Sequence, residues 1–272
     1  MREEGMSSTE MILFYSTIAI ATILSGILFY FKNISKKTYL LLVGIILVIE
    51  GIFIGIRWYN TGHPPIFGTF EATISASWML LFLAVLIDRK AQFGRIVIPF
   101  VVLTLLYGVL FDKAGKPLII SEQSYWVYFH ALFAWLAYGF YTFSFAGAVL
   151  TLGHGKWGEG YGKEIIENIG EFTYKALLNG FLAQTIMYVL GSYYSIRLHG
   201  NWWIWDPVEY LFVVSWCLYA IPVHGKILYG WGGQRIARLS ILGMVGTMFL
   251  YWSLIYLPWA TYHIFDVEIK IH

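Results

Sequence analysis

The chain has 272 residues, a formal net charge of +2, and a composition of 58% hydrophobic, 19% aromatic and only 12% charged residues. So much apolar surface cannot be exposed to water, which excludes an ordinary soluble protein and predicts an integral membrane protein. The near-neutral charge carries little further information, and we expect the chain to lie in a lipid bilayer and to bind no nucleic acid.

Eight apolar runs along the chain have the length of a membrane-spanning helix, which needs about 20 residues. The loops between them are too short for a soluble domain, and no linker or internal repeat divides the chain. The sequence therefore predicts an all-α fold, a single bundle of about eight transmembrane helices over residues 1–272. The runs lie at approximately 11–31, 39–57, 70–87, 95–111, 125–151, 174–193, 207–224 and 239–259.

The positions of the cations predict the orientation of this bundle, because Lys and Arg in short loops are retained on the cytoplasmic side. Most of the 18 Lys and Arg residues fall in one set of alternate loops, so both termini and residues 196–209 should lie on the extracytoplasmic side. The first span should remain as an uncleaved anchor, since no small-residue cleavage site ends it. The cytoplasmic set comprises Lys32, Lys36, Lys37, Arg89, Lys90, Arg95, Lys156, Lys163, Lys175, Lys226, Arg235 and Arg238.

The most informative segment follows the sixth span and reads Gly200-Asn201-Trp202-Trp203-Ile204-Trp205-Asp206-Pro207-Val208-Glu209. Its end is suited to starting a helix, because Asp206 is a good N-cap, Pro207 favours the first helical position, and Glu209 can close a capping box. Interface anchoring explains a single Trp, but three indoles within four residues predict an apolar platform for a flat ligand. Haem is the commonest ligand of that kind.

Histidines test the haem hypothesis, since an imidazole inside a span is costly unless it is used. His130 lies about one turn below the outer end of the fifth span, and His263 lies just beyond the eighth. Both are at the level of the indoles, and we predict that they bind the iron of haem b as an axial pair. The single cysteine, Cys217, excludes a CxxCH attachment site, so the haem is non-covalent; Cys217 itself is expected to be a core residue.

Other ionisable residues have alternative interpretations. His224, two residues after Pro222 near the cytoplasmic end of the seventh span, is either solvated or a ligand of an inner haem whose second ligand is missing. His154, in a glycine-rich loop, is the weaker candidate for that second ligand. Glu50, deep in the second span, is expected to be protonated and hydrogen-bonded to a neighbouring helix, or to form part of a polar path.

Polar residues near the outer rim are candidates for contacts with the haem propionates. Arg57 and Arg197 are the nearest arginines, and Asn201 is a neutral donor, although interface anchoring explains each arginine equally well. His63 and His199 are expected to be solvated or to orient a ligand.

The tryptophan segment resembles the WWD motif of the haem-handling membrane proteins of cytochrome c maturation. The stretch from Ser215-Trp216 to His224 is similar to the helix that follows this motif. Gly62-His63-Pro64-Pro65 with Phe70-Glu71-Ala72 resembles the family's outer-loop signature, and Trp126 to His130 and Tyr262-His263 resemble its outer histidine segments. Eight spans in this order look most similar to the CcsA, or ResC, branch of the system II cytochrome c synthase, rather than to the six-span CcmC branch.

The resemblance implies a haem lyase subunit in the prokaryotic cytoplasmic membrane, or in the thylakoid membrane of a plastid. Haem would move from an inner to an outer site and there meet apocytochrome c with a reduced CxxCH motif. A CcsB, or ResB, type membrane partner would supply the other inner histidine, and a thioredoxin-like thiol reductant is a further implied partner. The implied site residues are His130 and His263 (outer iron), His224 (inner iron), Trp202, Trp203, Trp205, Asp206, Glu209, Asn201 and Arg197.

The chain departs from the family pattern at His199, where tryptophan is common, at Val208, where lysine is common, and at Ile264-Phe265-Asp266 after His263. These departures leave the axial assignment intact but weaken the propionate contacts. Whether the chain is an enzyme is left open, because a haem exporter or chaperone needs the same pocket. A b-type cytochrome or haem sensor is the third alternative, disfavoured because an electron-transfer bundle should hold two complete histidine pairs.

Overall fold

The computed structural model describes residues 5–256, apart from gaps at 32–33, 89–92, 116, 119–121 and 154–162. Within the described residues the protein is all-helical and contains no strand. Each predicted apolar run coincides with a helix, so the all-α fold is confirmed. In chain order the helices are α1 (Ser8–Tyr30), α2 (Lys36–Thr61), α3 (Thr69–Ile87), α4 (Gly94–Val109), α5 (Tyr125–Leu152), α6 (Lys163–His199), α7 (Pro207–Tyr229) and α8 (Gly233–Tyr256).

The chain is a multi-pass membrane protein. Five helices in the described ranges, α1, α2, α3, α5 and α7, are long and apolar enough to cross a membrane. Helix α4 is apolar but has only 16 residues. The complete set of eight spans and the extracytoplasmic position of both termini stay predictions.

Helix α6 is much longer than the apolar run that predicted it. Its 37 residues correspond to about 55 Å at 1.5 Å per residue, whereas the hydrocarbon core is about 30 Å thick. The apolar pattern marks only the central part of the helix. Polar residues of adequate helix propensity extend it at both ends, and hydropathy does not detect such extensions.

The described residues form two compact units, residues 5–123 with α1–α4 and residues 124–256 with α5–α8. In the first unit α1 packs against α2 and α4, and α3 packs against the same two helices. Phe14 of α1 contacts Phe53 and Phe70 with ring centroids 5.7 and 5.2 Å apart, which places an aromatic cluster in its core. In the second unit α5 and α6 form the main helix pair, and α8 packs against both.

A buried ion cluster lies in the first unit. The Arg57 guanidinium donates from Nε to Glu71 Oε1 at 2.8 Å, and its Nη1 lies 3.8 Å from Glu10 Oε1. It also donates to the carbonyls of Lys113 (3.1 Å) and Ala114 (3.4 Å). Arg57 is only 2% exposed, so of its two predicted roles interface anchoring is wrong, and these buried acceptors engage its guanidinium.

His63 belongs to the same region. It is 4% exposed, so of its two predicted roles solvation is wrong. Its Nδ1 lies 3.0 Å from the Pro64 carbonyl and 3.9 Å from Glu71 Oε2. The physical reason is local: the turn that follows α2 folds His63 inward against the first turn of α3.

Glu50 makes the interhelical contact that was one of its two predicted roles. Ser77 of α3 donates a hydrogen bond to Glu50 Oε1, and Glu50 is 1% exposed. Its second oxygen, Oε2, has no hydrogen-bond partner among the described residues. A carboxyl in such surroundings links α2 to α3, in the way that polar side chains join membrane helices.

Two stacked tyrosines occupy the centre of the second unit. The rings of Tyr141 on α5 and Tyr219 on α7 are 3.4 Å apart and inclined by only 5°. Both side chains are 1% exposed. Glycines make room for them, because a Cβ at Gly180 would lie 2.6 Å from the Tyr141 ring and one at Gly243 would lie 2.7 Å from the Tyr219 ring.

A closed polar network surrounds this stack. The Tyr141 hydroxyl donates to Gln184 Oε1 at 2.5 Å, and Gln184 Nε2 donates to Ser215 Oγ at 3.3 Å. Ser215 and Thr247 hydroxyls are 3.1 Å apart, and Thr247 donates to the Tyr219 hydroxyl at 3.4 Å. The interior of the α5–α8 unit is therefore filled at this level, with its buried polar groups hydrogen-bonded to one another.

Candidate functional site

The tryptophan segment begins where α6 ends. Gly200 has φ +74°, a left-handed conformation that suits glycine and ends the helix after His199. The Ser195 hydroxyl donates to the Asn201 carbonyl at 2.8 Å, which holds the outgoing chain against the last turns of α6. Pro207 then starts α7, as predicted.

The carboxylate of Glu209 holds the second half of the segment. Asp206 caps α7 by accepting from the Val208 N–H at 2.8 Å, and Glu209 completes the predicted capping box by accepting from the Asp206 N–H at 3.2 Å. Glu209 also accepts from the Ile204 N–H at 3.1 Å. The backbone between these two donors passes through Trp205, whose φ of +63° is rare for a residue with a side chain.

The indoles differ in exposure and do not share one plane. Trp202 and Trp205 are 64% and 69% exposed. Trp203 is half-buried, with its ring 6.2 Å from Tyr188 of α6 and 6.0 Å from Tyr210 of α7. The rings of Trp203 and Trp205 are inclined by 84°, so these two indoles form an edge-to-face pair where a single flat platform was expected.

His130 of α5 is held against α6. Its Nδ1 lies 2.9 Å from the Met187 carbonyl, and its ring covers Gly191, where a Cβ would approach Nδ1 to 2.8 Å. A carbonyl oxygen can only accept, so Nδ1 carries the proton and the lone pair is on Nε2. This is the imidazole form that binds metals, oriented by a backbone carbonyl. Tyr188, next to Met187, contacts Trp203, so His130 and the tryptophan segment meet the same turn of α6.

His224 shows the same chemistry near the other end of α7. Its Nδ1 lies 2.8 Å from the Ala220 carbonyl, which again places the lone pair on Nε2. The imidazole is exposed, and its ring is 6.2 Å from Phe181 of α6. Helix α7 continues through Pro222 to Tyr229.

The remaining predicted site residues are either exposed or outside the described residues. Arg197 and Asn201 are exposed at the end of α6. Cys217 is exposed on α7, so its prediction as a core residue is wrong. His263 and His154 lie outside the described residues, and the axial pairing of His130 with His263 stays a prediction.

Sequence reasoning missed the residues that orient the site. Met187 acts through its carbonyl, Gly191 by leaving space for an imidazole, and Ser195 by binding a loop carbonyl. A backbone carbonyl carries no sequence signal. Ser195 and Gly191 lie one helical turn apart on α6, but only the position of α5 reveals what that face contacts.

Comparison with known protein families identifies the family to which this chain is similar. The family model described as Cytochrome C assembly protein matches residues 66–258, most of the chain. The chain belongs to this family. The region shared with the cytochrome c assembly proteins contains His130, the tryptophan segment and His224, and it ends before His263.

Several curated relatives carry the name cytochrome c biogenesis protein CcsA. One from Prochlorococcus marinus is 25% identical over 274 residues, covering 86% of this chain and 87% of its own length. One from Guillardia theta is 25% identical over 269 residues, covering 85% and 89%. One from Chlamydomonas reinhardtii is 25% identical over 260 residues, covering 91% and 68%. The predicted resemblance to the CcsA branch is confirmed.

The described residues fit the haem that membership of the cytochrome c assembly family implies. His130 is oriented with its lone pair on Nε2, as an axial ligand requires. Trp202 and Trp205 of the tryptophan segment offer exposed apolar rings. The Trp203 Nε1–H is buried and has no hydrogen-bond partner among the described residues, so it retains a donor suited to a carboxylate such as a propionate.

Removal of the Glu209 carboxylate should loosen the tryptophan segment. In Glu209→Ala the N–H groups of Ile204 and Asp206 lose their acceptor, and the left-handed conformation of Trp205 loses its restraint. Each hydrogen bond lost in this way should cost about 0.5–1.5 kcal/mol. We expect faster limited proteolysis between α6 and α7, while Glu209→Gln, which keeps one acceptor oxygen, should be intermediate. Identical cleavage rates in all three proteins would contradict this role.

Proposed function

We propose that this chain acts in cytochrome c biogenesis, binding haem b non-covalently and presenting it to apocytochrome c for covalent attachment. In this proposal His130 and His263 are the axial ligands of an outer site, against the indoles of the tryptophan segment. His224 contributes to an inner site near the other end of α7. The tryptophan segment lies on the extracytoplasmic side of a prokaryotic cytoplasmic membrane or a thylakoid membrane.

The orientation of His130 is the observation that carries this proposal. The hydrogen bond from Nδ1 to the Met187 carbonyl orients the imidazole and leaves its Nε2 lone pair for a metal, at the turn of α6 that also contacts Trp203 through Tyr188. The CcsA relatives and the family match support the assignment to cytochrome c biogenesis.

In this proposal the residues of the chain hold the haem and position the reactants, and none of them forms a covalent bond to the haem or to the apocytochrome. Bound haem supplies the vinyl groups to which the cysteines of a CxxCH motif add, giving thioethers. Glu209 keeps the tryptophan segment folded, and Trp202 and Trp205 provide exposed apolar surface for the macrocycle. The contribution to rate is proximity and orientation of two reactants. In this proposal the chain is a lyase subunit that positions the reactants, and the bond-forming chemistry belongs to the cofactor and the cysteines.

The inner site needs a partner in this proposal. His224 is exposed on α7 with its metal-binding nitrogen defined by the Ala220 carbonyl, and the described residues provide no second imidazole beside it. A CcsB, or ResB, type membrane protein would supply that ligand. A thioredoxin-like reductant would keep the cysteines of the apocytochrome as thiols.

Co-expression tests the proposal directly. The full chain is expressed with a CcsB-type partner and a reporter apocytochrome c in a host without its own maturation system, and covalent haem is stained after denaturing electrophoresis. We expect stained reporter only when both membrane proteins are present, and none with a reporter whose CxxCH cysteines are replaced by alanine. Haem that is bound and released to the partner without any stained reporter would favour the exporter, and no haem binding at all would refute both.

A further inference from the structure

A group of cations and aromatic rings lies where α7 ends and α8 begins, at the end of α7 opposite the tryptophan segment. Lys226 and Tyr229 belong to the last turn of α7, and Trp231 lies in the connection between the two helices. Arg235 and Arg238 belong to the first two turns of α8. We call these five residues the turn cluster, and none of them is a residue of the proposed haem sites.

The connection between α7 and α8 has a defined conformation. Gly230 has φ +61°, the left-handed conformation that ends a helix. The Trp231 N–H donates to the Gly225 carbonyl at 3.2 Å, the long hydrogen bond of a Schellman motif. The Trp231 ring covers Gly225, where a Cβ would overlap the indole. A glycine at this position therefore lets the indole pack against the last turns of α7.

Aromatic rings hold two of the three cations. The Arg235 guanidinium carbon lies 4.2 Å from the centroid of the Trp231 ring, and the Lys226 Nζ lies 5.9 Å from the ring of Tyr174 on α6. These cation–π contacts position the side chains without a carboxylate. Arg238 follows Arg235 by three residues, a spacing that places both arginines on one face of α8.

The three cations of the turn cluster have no carboxylate partner among the residues that the structure describes. An ion pair near Tyr174, between Lys175 and Glu171 of α6 at 3.6 Å, involves none of them. Arg235 and Arg238 are exposed, and Lys226 is half-buried. Positive charges on neighbouring turns repel one another unless an anion lies beside them. Charge complementarity therefore indicates an anionic ligand.

The level of the turn cluster in the membrane indicates which anion it meets. Helix α7 is apolar enough to cross a membrane, and its 23 residues correspond to about 35 Å, close to a hydrocarbon core of about 30 Å. Its last turn should therefore reach the headgroup level, where Trp and Tyr are enriched. Ile227 and Leu228, directly before Tyr229, are 63% and 66% exposed. Apolar side chains suited to acyl chains thus lie beside the cations, and a small soluble anion would not need them.

We propose that the turn cluster binds the headgroup of an anionic phospholipid. Lys226, Arg235 and Arg238 bind the phosphate, and Ile227 and Leu228 contact the acyl chains. A guanidinium suits this ligand because its fork of donors can bind two phosphate oxygens at once. The bound lipid joins the end of α7 to the start of α8. This inference goes beyond the proposed function and does not depend on haem.

The test measures lipid binding to the full chain purified in detergent. The protein is titrated with phosphatidylglycerol, which is anionic, and with phosphatidylcholine, which is zwitterionic, and bound lipid is counted by native mass spectrometry. The charge variant is Arg235→Gln with Arg238→Gln, and a second variant, Arg235→Lys with Arg238→Lys, keeps both charges. The matched control is Lys36→Gln with Lys37→Gln, two exposed cations at the start of α2.

We expect the wild-type protein to bind phosphatidylglycerol more tightly than phosphatidylcholine. The charge variant should bind phosphatidylglycerol about 25-fold more weakly, since each cation near a membrane surface contributes about fivefold. The lysine variant should keep most of the binding, and the control should keep all of it. The unfolding temperature without added lipid should be the same in all four proteins, because the substituted side chains are exposed.

Equal binding of the two lipids, or an equal loss in the charge variant and the control, would overturn the proposal. Release of bound phosphatidylglycerol by the same concentration of inorganic phosphate would also overturn it, because the acyl chains would then contribute nothing. If the charge variant loses copurified haem and keeps phosphatidylglycerol, the cations bind haem propionates and the lipid site is refuted. Axial ligation by His130 is measured separately, so each of these failures leaves the proposed function intact.

Discussion

Replacing His130 by alanine is expected to remove most of the haem bound at the outer site. The imidazole is the one described candidate ligand at the level of the tryptophan segment, and its Nδ1 is hydrogen-bonded to the Met187 carbonyl. Loss of a partner that merely orients a ligand lowers metal affinity about 10–100-fold, so loss of the ligand should cost at least as much. Copurified haem and its absorption spectrum measure the effect, and added imidazole should restore binding.

Two further variants separate ligation from packing. In Gly191→Ala the new Cβ would lie 2.8 Å from His130 Nδ1, so the ring must move, and haem affinity should fall without rescue by imidazole. His199→Ala, an exposed histidine at the end of α6, is the matched control and should keep wild-type haem. Unchanged haem content and spectrum in His130→Ala would reject the ligand role.

Loss of the Arg57 guanidinium should destabilise the first unit more than any exposed substitution. Arg57 and Glu71 side chains are 3% and 5% exposed, so Arg57→Met leaves the Glu71 and Glu10 carboxylates buried without their cation. Breaking a buried pair in this way costs about 3–5 kcal/mol. The expected result is a clearly lower unfolding temperature of the purified protein in detergent.

Two further variants test whether the loss in Arg57→Met comes from the uncompensated charges. Arg197→Met removes an exposed arginine and should change the free energy of unfolding by less than about 0.5 kcal/mol. Adding Glu71→Gln to Arg57→Met removes one uncompensated charge and should recover part of the loss. If the two single arginine variants unfold at the same temperature, the ion cluster does not stabilise the unit.

Local features of the site followed from the sequence. The capping box of Asp206 and Glu209 and the start of α7 at Pro207 depend on residues within four positions of one another, and all are confirmed. The WWD resemblance rests on the same contiguous segment, which explains why the sequence alone indicates the family.

Burial of single polar residues could not be predicted in the same way. Arg57, His63 and Cys217 were interpreted from their position along a span or in a loop, and Arg57 and His63 are buried whereas Cys217 is exposed. Depth is a property of one helix, whereas burial depends on which neighbouring helix covers a given face. For Arg57 the decisive neighbours, Glu10 and Glu71, come from α1 and α3.

The sequence by itself determined that this protein is an all-helical membrane protein of the cytochrome c assembly family, because hydropathy, helix length and the tryptophan segment are properties of contiguous residues. The tertiary structure alone decided which carbonyl orients His130, that Trp203 and Trp205 stand nearly perpendicular, and that Tyr188 of α6 contacts Trp203. These features need contacts between α5, α6 and α7, and such contacts depend on packing between residues far apart in the chain.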